Sequence, residues 1–242
     1  MQGIIRRVLC LEKVHLKKYT QKVNDFISCG NFTTANACIT KNLQRELRDT
    51  MNECRSIIQK DDKWKLMNTN PTAPTMRGLI KVHKEGAPIR PVINWRNALG
   101  YKLAKMLVKV LSSHTPLPFT YNVKNTVQLM DDLLKIPQGH LMKFASFDIS
   151  NMYSNIPTGE LIAILSDSCI KNNVDEMTKK EIIKMTQTLI NQNYLQFQDT
   201  IYLQQEGLAM GAPTLSLLSE FYLQHIENTT IPELLKKQNI KG

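Results

Sequence analysis

No stretch of the 242-residue chain approaches the roughly 20 apolar residues of a membrane-spanning helix, so no membrane partner is expected. The amino terminus, Met1-Gln2-Gly3-Ile4-Ile5-Arg6-Arg7, lacks the apolar centre of a secretory signal. Five cysteines, an odd number at irregular spacing, do not make a disulfide framework. Cys10, Cys29, Cys38 and Cys54 lie 19, 9 and 16 positions apart, which fits no metal-ligand pairing, and buried free thiols are expected there. The five histidines form neither H-x-E nor H-E-x-x-H, and the chain has no internal repeat or low-complexity tract. What remains is a globular chain expected to be intracellular, with nothing to choose between nucleus and cytoplasm.

Acidic residues are scarce in one region. Residues 67–113 hold eight Lys and Arg against a single Asp or Glu, and residues 1–66 hold 13 against seven. Residues 114–242 reverse the balance, with 10 against 13, so the whole net charge of +10 originates in the front of the chain. A basic front and a mildly acidic back suggest a grip for a polyanion joined to a part that needs carboxylates. A solvated basic surface without a partner would give the same count.

The hydrophobic pattern predicts helices over 3–28 and 34–60. In the second, Leu43, Leu47, Met51, Cys54 and Ile58 form an apolar stripe, with Thr33 or Thr34 as N-cap. Residues 61–71 read as a polar linker. Two β-rich runs, Leu79-Ile80-Lys81-Val82-His83 and Ile89-Arg90-Pro91-Val92-Ile93, predict a hairpin turning at Gly86, its second strand held to an edge by Pro88 and Pro91. Helices follow over 99–110 and 123–135, then a buried strand over 141–149, then helices over 157–171 and 178–192. Thr178 and Glu181 offer a capping box for the last of these. A second hairpin is expected around Gln198-Asp199-Thr200, and a helix over 213–228.

The residues best suited to chemistry lie in Phe144-Ala145-Ser146-Phe147-Asp148-Ile149-Ser150-Asn151-Met152-Tyr153-Ser154-Asn155-Ile156-Pro157. A carboxylate at the end of a buried strand is costly unless it meets a cation or donors. Asp148 is so placed, and suits Mg²⁺, which takes one or two carboxylates with waters and phosphates. A turn or cap role would use the same residue.

This segment resembles the first catalytic motif of reverse transcriptases, a hydrophobic-x-Asp followed five residues later by an aromatic. Its Tyr-x-Asn-Ile-Pro ending is most similar to the Penelope-like retroelements. Gly78 to Ile93 resembles that branch's fingers segment, of the type G-L-x-K-x-H-K-x-G-x-P-x-R-P-I-V. Gln205-Glu206-Gly207-Leu208-Ala209-Met210-Gly211-Ala212-Pro213 resembles its Q-x-G-x-A-M-G-x-P motif. The resemblance implies an α+β fold of right-hand polymerase type. Residues 1–66 would form a helical basic N-terminal region, 67–120 the fingers and 121–242 a partial palm with an antiparallel sheet.

It also implies roles. Asp148 and the Ile149 carbonyl would hold Mg²⁺ or Mn²⁺. Tyr153 would lie under the sugar of an incoming dNTP and exclude a 2′-hydroxyl. Lys81 and Arg90 would reach the triphosphate, as a point charge and a planar fork, with Lys84 a weaker candidate. Gly207 and Gly211 would let the backbone approach nucleotide and template, and Gln205 would hydrogen-bond nearby. The partners would be an RNA template, a primer–template hybrid and dNTP.

The departures from that pattern are as specific as the matches. Thr214-Leu215-Ser216 stands where the family reads L-S-P, and residues 212–242 contain no aspartate, although an aromatic-x-Asp-Asp motif is due there. Met130-Asp131-Asp132-Leu133-Leu134 looks like that motif but precedes the first one and follows helical periodicity, so a solvated helix face is expected. The chain is therefore expected to be a truncated polymerase domain, inactive by itself, or a non-catalytic nucleic-acid-binding module.

Overall fold

The computed structural model describes residues 2–35, 39–117, 125–135, 149 and 151–237. In chain order the elements are α1 (Gln2–Cys29), β1 (Phe32–Thr34), α2 (Ile39–Glu53), a 3₁₀ turn (Lys60–Asp62), α3 (Lys63–Leu66), β2 (Thr75–Ile80), β3 (Ile89–Asn94), α4 (Tyr101–His114), α5 (Thr126–Leu134), α6 (Met152–Asn155), α7 (Thr158–Lys171), α8 (Glu176–Asn191), β4 (Tyr194–Phe197), β5 (Thr200–Gln204), α9 (Leu215–Asn228) and α10 (Thr230–Lys237). The class is α+β. The strand expected over 141–149 and Asp148 itself fall outside the described residues, Ile149 excepted.

The five strands form one sheet in the order β1-β5-β4-β2-β3. It takes β1 from residues 1–66, β2 and β3 from 67–120, and β4 and β5 from 121–242. Both hairpins are antiparallel, whereas β2 and β4 run parallel through one pair, Thr75 with Gln196, so the sheet is mixed where an antiparallel one was expected. Pro91 sits opposite Gly78 on β3, which is the edge strand its prolines require.

Side chains alternate across the sheet, and each face has its own cover. Met76, Ile93, Leu195 and Phe197 point to α1, where Val23 and Ile27 are buried against them. Gly78 allows this close approach, because a Cβ there would stand 3.0 Å from Val23 Cγ2. On the opposite face Tyr194, Ile201 and Leu203 join the helical core of α2, α4, α7, α8 and α9. That core is built from residues at helical spacing, among them Leu43, Leu47 and Met51 of α2 and Leu103, Leu107 and Leu111 of α4. Among the described residues the helices cover β4 and β5, and over β2 and β3 the same face has Arg77, Leu79, Arg90 and Val92 exposed.

Three local expectations give way to longer-range contacts. Thr33 and Thr34 do not cap α2. They extend β1, pairing with Leu203 and Tyr202. The second helix ends at Glu53 and not near residue 60, because the Glu181 carboxylate takes the N–H groups of Ser56 and Ile57 at 2.9–3.1 Å. Glu181 is thus buried in tertiary structure and not in a capping box, and α8 is capped by Asp175, which accepts from the Thr178 N–H at 2.9 Å. That bond holds the Asp175 carboxyl below its usual pKa. The Asp131-Asp132 pair lies in α5, the helix its periodicity predicts, but the apolar stripe of that helix is exposed at Val127, Met130, Leu133 and Leu134 and not covered as amphipathic spacing leads one to expect. None of the described helices is long and apolar enough to cross a membrane.

The thiols divide by environment. Cys54 and Cys169 are buried, but Cys29 is exposed, against expectation, because α1 ends there at the surface. Burial, with the Glu181 and Glu53 carboxylates nearby, pushes the Cys54 thiol up to about 12. Native protein treated with a maleimide at pH 8 should therefore be labelled at Cys29 and spared at Cys54 and Cys169, as read by peptide mass mapping. Rapid labelling of Cys54 without denaturant would contradict this packing.

Candidate functional site

The hairpin of β2 and β3 carries a row of cations. Its ladder continues past the strand ends through Lys81 N–H to the Pro88 carbonyl at 2.9 Å, and the turn closes through Ala87 N–H to the Lys84 carbonyl at 2.9 Å. Gly86 and Ala87 take positive φ in that turn, at 70° and 43°. From α1, Lys22 Nζ donates to the Gly86 and Ala87 carbonyls at 2.8 and 3.0 Å, and Tyr19 Oη accepts from the Gly78 N–H at 2.9 Å. The hairpin is therefore held from behind, and on its front Arg77, Leu79, Arg90 and Val92 are exposed.

On that front, the register places Arg90 opposite Leu79 and Arg77 opposite Val92. Lys81 follows on the same face, since residues 77, 79 and 81 share a side of the strand. Lys81, Arg90 and Arg77 make a zigzag of diagonal neighbours roughly 7–8 Å apart. None of the three is in an ion pair among the described residues. Leu79, 57% exposed, and Val92 lie between the cations. Three unpaired cations around an apolar strip suit a ligand with phosphates and flat apolar parts. Arg77 was missed from sequence, although two steps of two back from Lys81, through Leu79, reach it. Lys84 is exposed in the turn.

The chain turns sharply at Asn151. Ile149 is exposed, and Asn151 takes a left-handed φ of 50°. Its carbonyl accepts from the N–H and Oγ of Ser154 at 3.2 and 3.0 Å, which starts the single turn of α6. Tyr153 is 42% exposed, so its ring is presented and not buried in the core.

The Gln205–Pro213 segment packs against both of the others. Leu208 N–H donates to the Tyr153 carbonyl at 2.7 Å. Gly207, with φ 74°, lies so close that a Cβ would sit 2.5 Å from Ser154 Cα and from the Tyr153 carbonyl oxygen. Gly211, with φ 83°, faces the Ile93 carbonyl of β3 in the same manner. The neighbour at each glycine is the protein's own backbone. Gln205 donates from Nε2 to Thr33 Oγ1 at 2.7 Å, so its amide is engaged with β1. The loop is further held by Gln204, whose Nε2 donates to the Glu206 carbonyl at 2.6 Å, and by Asn31, which donates to the Glu206 carboxylate at 2.7 Å. Asn31 does not stand out in the sequence, because its partner lies 175 positions away.

Lys81, Arg90 and Arg77 thus share one face of the hairpin, while Gly207 meets Tyr153-Ser154 and Gly211 meets Ile93 of β3. Among the described residues no group of three or more His, Cys, Asp or Glu side chains is placed to hold a metal ion. No family model, curated protein or solved structure matches the chain.

Proposed function

We propose that the chain is part of an RNA-directed DNA polymerase of the reverse transcriptase type, comprising the fingers and an incomplete palm. In this reading Arg77, Lys81 and Arg90 take phosphates of the dNTP or template, and Tyr153 offers its ring to the sugar. Asp148 and the Ile149 carbonyl would hold Mg²⁺ or Mn²⁺ in the intact parent. The metal, when bound, supplies charge for nucleotidyl transfer. The observation that carries the reading is a convergence. Three segments resembling successive polymerase motifs, around residues 78–93, 148–157 and 205–213, meet through Gly207 on Tyr153-Ser154 and Gly211 on Ile93. The lack of any aspartate in residues 212–242 favours a second reading for this stretch, binding without catalysis.

The test is filter binding of an RNA–DNA primer–template over a salt series. Replacement of Arg77, Lys81 and Arg90 by Gln together should weaken binding at least tenfold near 0.1 M salt and make the salt dependence shallower by about three counterions. Absent or salt-insensitive binding would overturn both readings. Primer extension by the purified chain is expected to be undetectable. Extension that disappears with Asp148→Ala would show instead that this stretch is catalytically sufficient. Sequencing the transcript beyond codon 242 separates the two readings, since an aromatic-x-Asp-Asp within a few tens of codons belongs only to the first.

A further inference from the structure

A second basic surface lies outside the hairpin, on α3 and α4. Trp64 is 70% exposed, the most exposed of the chain's aromatic side chains among the described residues. It lies between Lys63 and Lys65, and Lys65 Nζ sits 5.8 Å from its ring centroid. The short helix α3 packs against α4, and Lys102 Nζ donates to the Met67 carbonyl at 2.9 Å. Along α4, Lys102, Lys105 and Lys109 recur at helical spacing on the exposed side, while Leu103, Leu107 and Leu111 are buried on the other. Lys105 Nζ lies 5.7 Å from the Tyr101 ring centroid. None of Lys102, Lys105 and Lys109 is in an ion pair among the described residues, whereas Lys65 pairs with Asp62 at 2.7 Å.

We infer that this ridge binds single-stranded nucleic acid, with a base stacked on Trp64 and the phosphates of the following nucleotides along the α4 lysines. A large aromatic left in water beside a cation row is costly in isolation, and it is the arrangement that a sequence-tolerant strand binder uses. A base inside a duplex cannot offer its flat face to Trp64, so the strand must be unpaired. An anionic membrane fits less well, because the exposed side of α4 carries Lys102, Lys105, Lys109, Ser112, Ser113 and His114 and leaves Trp64 as the ridge's exposed large apolar side chain, where an interfacial helix presents a whole apolar face. The inference rests on the proposal that the chain handles nucleic acid, but it uses residues outside the three motif segments.

Tryptophan fluorescence supplies a specific readout, because the chain's other tryptophan, Trp95, is buried. Titration of the full chain with a 12-nucleotide oligouridylate should quench the emission. Trp64→Leu, at an exposed site that the fold does not use, should abolish the quench and weaken binding by filter assay roughly tenfold. Lys105→Glu with Lys109→Glu should weaken it by a similar factor, while both variants keep the wild-type melting temperature. If both bind the oligonucleotide as wild type does, the ridge is wrong. The nucleic-acid reading then stands or falls on the hairpin variant alone. If wild type binds neither oligouridylate nor primer–template, both proposals fail. Binding to phosphatidylserine vesicles without binding to oligouridylate would assign the ridge to a membrane and overturn the inference.

Discussion

Gly207→Ala is expected to lower the melting temperature by roughly 6–12 °C. A non-glycine residue at its φ of 74° costs about 1–2 kcal/mol. The new Cβ would also meet the Ser154 backbone and the Tyr153 carbonyl at 2.5 Å, and overpacking of that kind costs roughly 1–3 kcal/mol. A total of about 3 kcal/mol converts at roughly 2–4 °C per kcal/mol for a chain of this size. The obstacle is backbone, which cannot swing away as a long side chain would. Gly86→Ala is the control, because Gly86 has nearly the same φ, 70°, but no atom within 4 Å of the added Cβ. It should lose only the conformational part, a few degrees. Equal losses for the two variants, by scanning calorimetry, would show that the approach of residue 207 to residues 153–154 is absent. Under the functional proposal Gly207→Ala should also weaken primer–template binding, since it separates Tyr153 from the hairpin side of the site.

Glu181→Ala should be nearly as damaging, for a different reason. The carboxylate accepts from Ser56 N–H at 2.9 and 3.1 Å and from Ile57 N–H at 2.9 Å. Hydrogen bonds to a charged group contribute about 1.5–3 kcal/mol each, and their loss leaves two backbone donors facing a largely buried site. A loss of about 3 kcal/mol, or roughly 6–12 °C, is expected. Glu181→Gln keeps one acceptor oxygen and should fall between wild type and the Ala variant. A second readout is chemical. Glu181 is one of the causes that push the Cys54 thiol up, so either substitution should make Cys54 label faster with a maleimide at pH 8. A melting temperature within about 2 °C of wild type, with Cys54 still protected, would show that residues 56–57 are anchored by something else.

These two positions show where the sequence was readable and where it was not. Both hairpins follow from short β-rich runs around turn residues, and the prolines of β3 specify an edge before any partner strand is known. The helices follow from three-to-four spacing, which records burial along one face. What escaped was set by partners distant in the chain. The three residues of β1 are too few to show alternation, and they become a strand only because β5 lies alongside. Glu181 has the spacing of a capping box but spends its carboxylate on a loop 125 residues earlier. Gly207 and Gly211 were recognisable as positions that need glycine. That their neighbours are residues 153–154 and 93 depends on the tertiary arrangement. In the same way, Lys81 and Arg90 were legible through the resemblance, whereas Arg77 joins them only once the pairing register is known.

The junction of the two hairpins has a mechanical consequence. β2 meets β4 through a single residue pair, reinforced by the Gln196 N–H donating to the Pro74 carbonyl at 2.7 Å. A ladder that short resists shear poorly. The base of the cationic hairpin is held by Met76 and Ile93 in the core, and its outer part is tied to α1, which meets it at Gly78 and at the Gly86-Ala87 turn through Tyr19 and Lys22. The long first helix thus braces the far end of a hairpin that the sheet itself holds only at its base.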